Sequence, residues 1–156
     1  MPEKASGGDE GTAVTIDLQS YFPYRLAVLA EQVSLAVAQV YAQRFDLTRQ
    51  EWRVLAVLGG TTEASATDIG HITSLDKMQV SRAMRNLEAR GVIRRSESTD
   101  DRRRRLVELT KAGRALYREI VPLALAREAT LLAALSPDEL TALEFMMDKI
   151  AAATKT

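Results

Sequence analysis

From Thr48 to Leu109, three helix-start signals, two glycine stops and two β-prone runs follow one another with few residues to spare. Thr48-Arg49-Gln50-Glu51 is a capping box: the threonine hydroxyl accepts the amide three residues on, while the glutamate reaches back to the threonine amide. The helix it opens has Trp52, Leu55, Ala56 and Leu58 on its apolar side and is expected to stop at Gly59-Gly60. Ser65-Ala66-Thr67-Asp68 opens a second, short helix, with Ile69 and Ile72 expected inward. Asp76 with Gln79 opens a third, residues 77–90, whose apolar positions Val80, Ala83, Met84 and Leu87 recur at helical spacing before Gly91. Val92-Ile93-Arg94-Arg95 and Leu106-Val107-Glu108-Leu109 are β-prone and flank a polar stretch, residues 96–105, ending in four consecutive arginines. That pattern predicts a hairpin with a basic tip.

The flanks are helical. Leu26, Leu29, Ala30, Val33, Val37, Val40 and Tyr41 recur at three- and four-residue steps up to Phe45, spread more widely than one packing stripe needs. Thr110 opens another helix, in which Pro122 is expected to impose a kink because proline lacks an amide donor. Ser136-Pro137-Asp138-Glu139 opens the last, with an apolar stripe of Leu140, Leu143, Met146, Met147 and Ile150. Residues 1–17 are Gly-rich, polar and aperiodic, and read as a disordered arm. The expectation is one domain over residues 18–156, mainly α with a small β-hairpin wing. Within it a winged helix-turn-helix spans about 47–110, and helices at about 18–45 and 111–153 form a dimerisation region.

The chain has no cysteine, so disulfides, thiolate metal sites and thiol redox sensing are excluded. A single histidine, the lack of a Gly-rich phosphate loop and the lack of a nucleophile–base pair argue against an enzyme, and no cofactor is expected. With neither a membrane-length apolar run nor a signal pattern, a cytoplasmic location away from membranes is expected. Net charge is zero, but its distribution is not even. Residues 77–114 hold 12 Lys/Arg against 5 Asp/Glu, leaving 9 and 16 for the rest of the chain. Such asymmetry marks one face as a footprint for phosphates.

The segments LTRQEWRVLAVL (47–58), SATDIGHITSLDKMQVSRAMRNLEARGVIRR (65–95) and DDRRRRLVELTKAGRAL (100–116) resemble the MarR family of winged helix-turn-helix transcriptional regulators, and the resemblance extends over roughly residues 20–152. It departs at Ser98-Thr99, where the family often has Asp-Pro before the wing tip. The resemblance implies a homodimer built from the first and last helices, a pseudo-palindromic double-stranded DNA operator, and repression. It also implies small anionic, often aromatic effectors bound between the dimerisation helices and the winged domain, and makes Asp101 an orienter of a wing arginine.

Physical reasoning assigns the roles independently. With Val80, Met84 and Leu87 inward, residues Lys77, Met78, Gln79, Ser81, Arg82 and Arg85 face outward or to the flanks. Gln79 suits adenine, Arg82 guanine, Met78 a thymine methyl, and Arg85 a phosphate. Arg102, Arg103 and Arg104 at a thin hairpin tip suit the negative potential of a minor groove. Tyr24, Arg25, Trp52 and His71 are the candidates for an effector pocket. The competing reading keeps Trp52 in the core, Arg25 in an ion pair and His71 at the surface. A winged helix that binds only protein is the rival function, although such modules usually lack clustered charge of this kind.

Overall fold

The structure, a computed structural model, describes residues 14–97 and 105–155. Their elements run α1 (Phe22–Phe45), α2 (Arg49–Gly60), β1 (Ala64–Ser65), α3 (Ala66–Thr73), α4 (Lys77–Ala89), β2 (Ile93–Glu97), β3 (Arg105–Leu109), α5 (Lys111–Leu132) and α6 (Pro137–Ala153). The chain divides into two compact units between Val33 and Ser34, inside α1. In the first, Tyr21, Phe22, Tyr24, Leu26, Leu29 and Val33 are all exposed. The second contains the core.

Four capping boxes form as the sequence predicts, at Thr48/Glu51, Ser65/Asp68, Asp76/Gln79 and Ser136/Glu139. Each satisfies two amides that a helix start otherwise leaves without partners. Thr110 caps α5 by accepting the Gly113 amide. The glycine after α4 does what the sequence suggests: Gly91 sits at φ +69°, a conformation that glycine adopts without a β-carbon penalty. At the end of α2 the helix instead runs through both glycines to Gly60. α5 continues through Pro122 as one 22-residue helix.

Val54, Leu55 and Leu58 of α2, Ile69 of α3, Val80, Ala83, Met84 and Leu87 of α4, and Ile93, Val107 and Leu109 of the hairpin form one cluster with Ile120 of α5. Burying a side chain of the Val, Leu or Met type contributes about 1.5–3 kcal/mol, so the four inward residues of α4 fix which of its faces remains in water. Ile72 departs from expectation. It is 65% exposed, because the eight-residue α3 turns only Ile69 fully into the core.

The sheet has three antiparallel strands in the order β1-β3-β2, with Arg94 opposite Glu108 and Arg95 opposite Val107. β1, only Ala64–Ser65, adds itself to the outer edge of β3 by pairing with Val107 and Leu106. At two residues, β1 is too short to show a strand pattern in the sequence. Its second residue is also the cap of α3, so the sheet edge and the helix start are locked together.

Candidate nucleic-acid interface

Val80, Ala83, Met84 and Leu87 of α4 are buried, and Lys77, Met78, Gln79, Ser81, Arg82 and Arg85 are all exposed. One helix thus presents six polar, cationic or thioether side chains from a firmly seated scaffold. Met78, at 70% exposure, is a long apolar side chain held in water beside them. Gln79 carries a second duty: its side-chain oxygen accepts the Asp76 amide at 3.1 Å. A bidentate adenine contact needs that oxygen, so base reading by Gln79 competes with capping.

Three sets of contacts hold α4 in place. The Glu51 side chain, only 4% exposed, accepts the Thr48 amide at 2.9 Å with one oxygen and the Asn86 side-chain amide at 2.9 Å with the other. At the far end, the Arg90 guanidinium donates to the carbonyls of Asp46 and Phe45 at 2.7 and 2.8 Å, where α1 ends and the chain turns through Asp46 at φ +51°. Arg95 of β2 pairs with Glu88 of α4 at 3.1 Å. Beyond Gly91, Thr110 ties the start of α5 to the end of α4, its hydroxyl donating to the Gly91 carbonyl at 2.7 Å and its amide to the Val92 carbonyl at 3.0 Å.

The hairpin emerges beside this helix, and its last register pair is Glu97 with Arg105. Asp101, Arg102, Arg103 and Arg104, assigned from the sequence to the wing tip, lie outside the described residues. Of the effector candidates in the second unit, Trp52 and His71 do not line the same groove. Trp52 stacks between Tyr41 (ring centroids 5.5 Å apart) and Tyr117 (6.4 Å), packed against the core. Burial pushes the Tyr41 phenol above its ordinary range, opposed by the nearby Arg49 and Arg53 charges. His71 instead lines an open groove of about 540 Å³ with Lys77, Ser81, Met84 and Arg95, which Trp52 does not reach. Tyr24 and Arg25 belong to the unit that ends at Val33. That groove is the feature sequence reasoning missed, because it depends on β2 passing α4.

Residues 45–104, which include α2, α3, α4 and β2, match the model of the MarR family. Over those residues the chain is similar to the MarR family. Solved MarR-type structures extend the likeness to the flanking helices. A MarR/EmrR family transcriptional regulator from Acinetobacter sp. ADP1 superposes with a TM-score of 0.82 at 28% identity, covering 90% of this chain and 99% of that one. BpsR of Bordetella bronchiseptica, whose DNA binding is regulated by 6-hydroxynicotinic acid, superposes with a TM-score of 0.78 at 26% identity over 88% of this chain and 98% of its own. Among curated proteins, the homoprotocatechuate degradative operon repressor of Escherichia coli is 24% identical over 88 residues, 56% of this chain. That match spans 60% of the repressor's length. These MarR-type relatives are transcriptional regulators rather than enzymes. No single described helix is long and apolar enough to cross a membrane.

Proposed function

We propose that the protein is a homodimeric, effector-responsive repressor that reads a pseudo-palindromic operator, with α4 in the major groove and the hairpin tip in the adjacent minor groove. The observation that carries this reading is the division of α4 into a buried apolar side and an exposed side bearing Lys77, Met78, Gln79, Ser81, Arg82 and Arg85. Arg82 is the candidate for guanine, Arg85 for phosphate, and Arg102, Arg103 and Arg104 for the minor groove, oriented by Asp101.

Dimerisation is supported by apolar surface without a partner. α6 has no buried residue and exposes Leu143, Phe145, Met146, Met147 and Ile150. The N-terminal half of α1 is likewise apolar and exposed. Exposed apolar surface on that scale is costly in water and marks an interface. A two-fold dimer sets its recognition helices about 34–36 Å apart, one turn of duplex. An effector acts by biasing the subunits toward another spacing, within the limit of its differential affinity for the two arrangements.

The effector reading leans on the aromatic acid that regulates BpsR and on the groove beside α4, where Lys77, Arg95, Ser81 and His71 surround an apolar floor. An anion seated there would engage Lys77 and Ser81, two residues offered to DNA, and would compete with the operator directly. Tyr24 and Arg25, in the first unit, and Trp52, in the second, are the other candidates for effector contact.

Footprinting on the DNA upstream of the protein's own coding region, with and without a panel of aromatic acids, tests the whole reading. The expected result is a symmetric protected site, lost on addition of one of the acids, with affinity that falls steeply as salt rises. A monomer by light scattering, or salt-independent binding, overturns it in favour of a protein-interaction module.

A further inference from the structure

Arg94 and Arg95 are neighbours in β2 and therefore project to opposite faces of the hairpin. Arg95 pairs with Glu88 of α4, and Arg94 with Glu108, directly across on β3 at 2.7 Å. On the Arg94 side, away from α4, the hairpin and the first two turns of α5 enclose an open groove of about 530 Å³ lined by Arg94, Glu108, Lys111, Arg114 and Arg118. Its four cations face one carboxylate, which Arg94 already engages.

The cations of α5 are placed against the fold's own interest. Lys111, Arg114 and Arg118 share a helical face, and the first turn of α5 carries no acidic residue to meet the positive end of its dipole. No ion pair among the described residues engages any of the three. An external anion would remove this repulsion. A small ligand suits the groove poorly: Lys111 and Arg118 lie in open solvent, where water and salt weaken each separate contact. A polyanion engages them together, and one already held by the operator contacts arrives at high effective concentration.

We propose that this groove receives the phosphate backbone of duplex DNA lying beyond the stretch contacted by α4 and the hairpin, bent toward the protein. The proposal rests on the DNA-binding reading above and extends its footprint. The test compares two operator duplexes, one ending at the edge of the hairpin contact and one longer by about one helical turn on each side. The intact dimer is used as wild type, as K111A/R114A/R118A, and as R114K/R118K. Wild type is expected to bind the long duplex at least about tenfold tighter, with a salt slope steeper by about two to three per subunit. The triple alanine variant should bind both duplexes as wild type binds the short one, and the lysine variant should restore most of the gain. Unchanged thermal unfolding separates this from misfolding. Equal wild-type affinity for the two duplexes overturns the proposal alone, as does an equal loss on both in the triple variant. Failure of wild type to bind even the short duplex overturns the DNA reading and this proposal with it. Stabilisation by inorganic pyrophosphate, abolished in the triple variant and without any effect of duplex length, reassigns the groove to a small anion.

Discussion

The ring of Tyr117 lies so close over Gly59 that a β-carbon at Gly59 would sit within the ring's own van der Waals envelope. The same ring stacks on Trp52, so α5 is packed on α2 at a point where α2 has no side chain. Alanine in a helix is ordinarily favoured over glycine by up to about 1 kcal/mol. Here the sign reverses. Gly59→Ala should lower stability by about 1–2 kcal/mol through overpacking, with a shift in the fluorescence of Trp52, the single tryptophan. In a Tyr117→Ala background the same substitution should become neutral or stabilising, and urea unfolding of the four proteins gives the coupling directly.

Gly113 is a harder case, because its missing β-carbon would collide with the Val92 carbonyl, which already accepts the Thr110 amide. Backbone cannot swing aside as a tyrosine ring can. Gly113→Ala is expected to cost more than about 3 kcal/mol, near the top of the range for single substitutions. Gly60→Ala is the control. Nothing stands within 4 Å of a β-carbon there, and thermal unfolding should show a gain of about 0.5–1 kcal/mol.

Glu51 is buried and uses its two oxygens for different donors, the Thr48 amide and the Asn86 side chain. A glutamine offers one oxygen and turns an NH2 group toward the other donor. Glu51→Gln should therefore destabilise by about 1–3 kcal/mol, measured by denaturant unfolding. Removing the Asn86 donor together with it should recover part of that loss.

Arg82 and Arg85 stand one turn apart on the exposed side of α4 and are expected to fail differently. Binding to randomised half-sites should show that Arg82→Ala relaxes preference at one base position, by about 1–3 kcal/mol of discrimination. Arg85→Ala should weaken all sequences alike and lower the salt slope by about one. Equal loss of base preference in both would remove the division of roles.

The Glu139 carboxylate accepts the Ser136 backbone amide at 2.7 Å, and this hydrogen bond, with the Ser136 side chain, holds its pKa below the ordinary value. A lowered folded-state pKa means that its contribution is present above the unfolded carboxylate range, near 4.3, and disappears as pH falls through the folded value. Carboxyl NMR titration should place Glu139 below that reference. The start of α6 should fray in the same acid window, and Glu139→Gln should remove that pH dependence.

What the sequence revealed was local. Each capping box is a four-residue pattern whose partners lie within reach whatever the rest of the chain does, and all four formed. The two faces of α4 were legible for the same reason, since 3.6-residue spacing sorts them before any tertiary contact is made. Features that join distant segments were not legible. Gly59 read as a helix stop because nothing nearby announces a tyrosine 58 positions later. β1 is too short to show alternation and exists because β3 offers it an edge. Trp52 and His71 looked like companions in composition, but one is drawn into an aromatic stack and the other stands beside β2.

Arg90 holds two carbonyls at the end of α1 while belonging to the end of α4. The last turn of α1 and the end of α4 consequently share a hinge pin. Twisting one without the other requires breaking two hydrogen bonds from a charged donor, a class in which each is worth about 1.5–3 kcal/mol. Whatever displaces the end of α1 is therefore expected to displace the end of α4 with it, the guanidinium bridging the two directly.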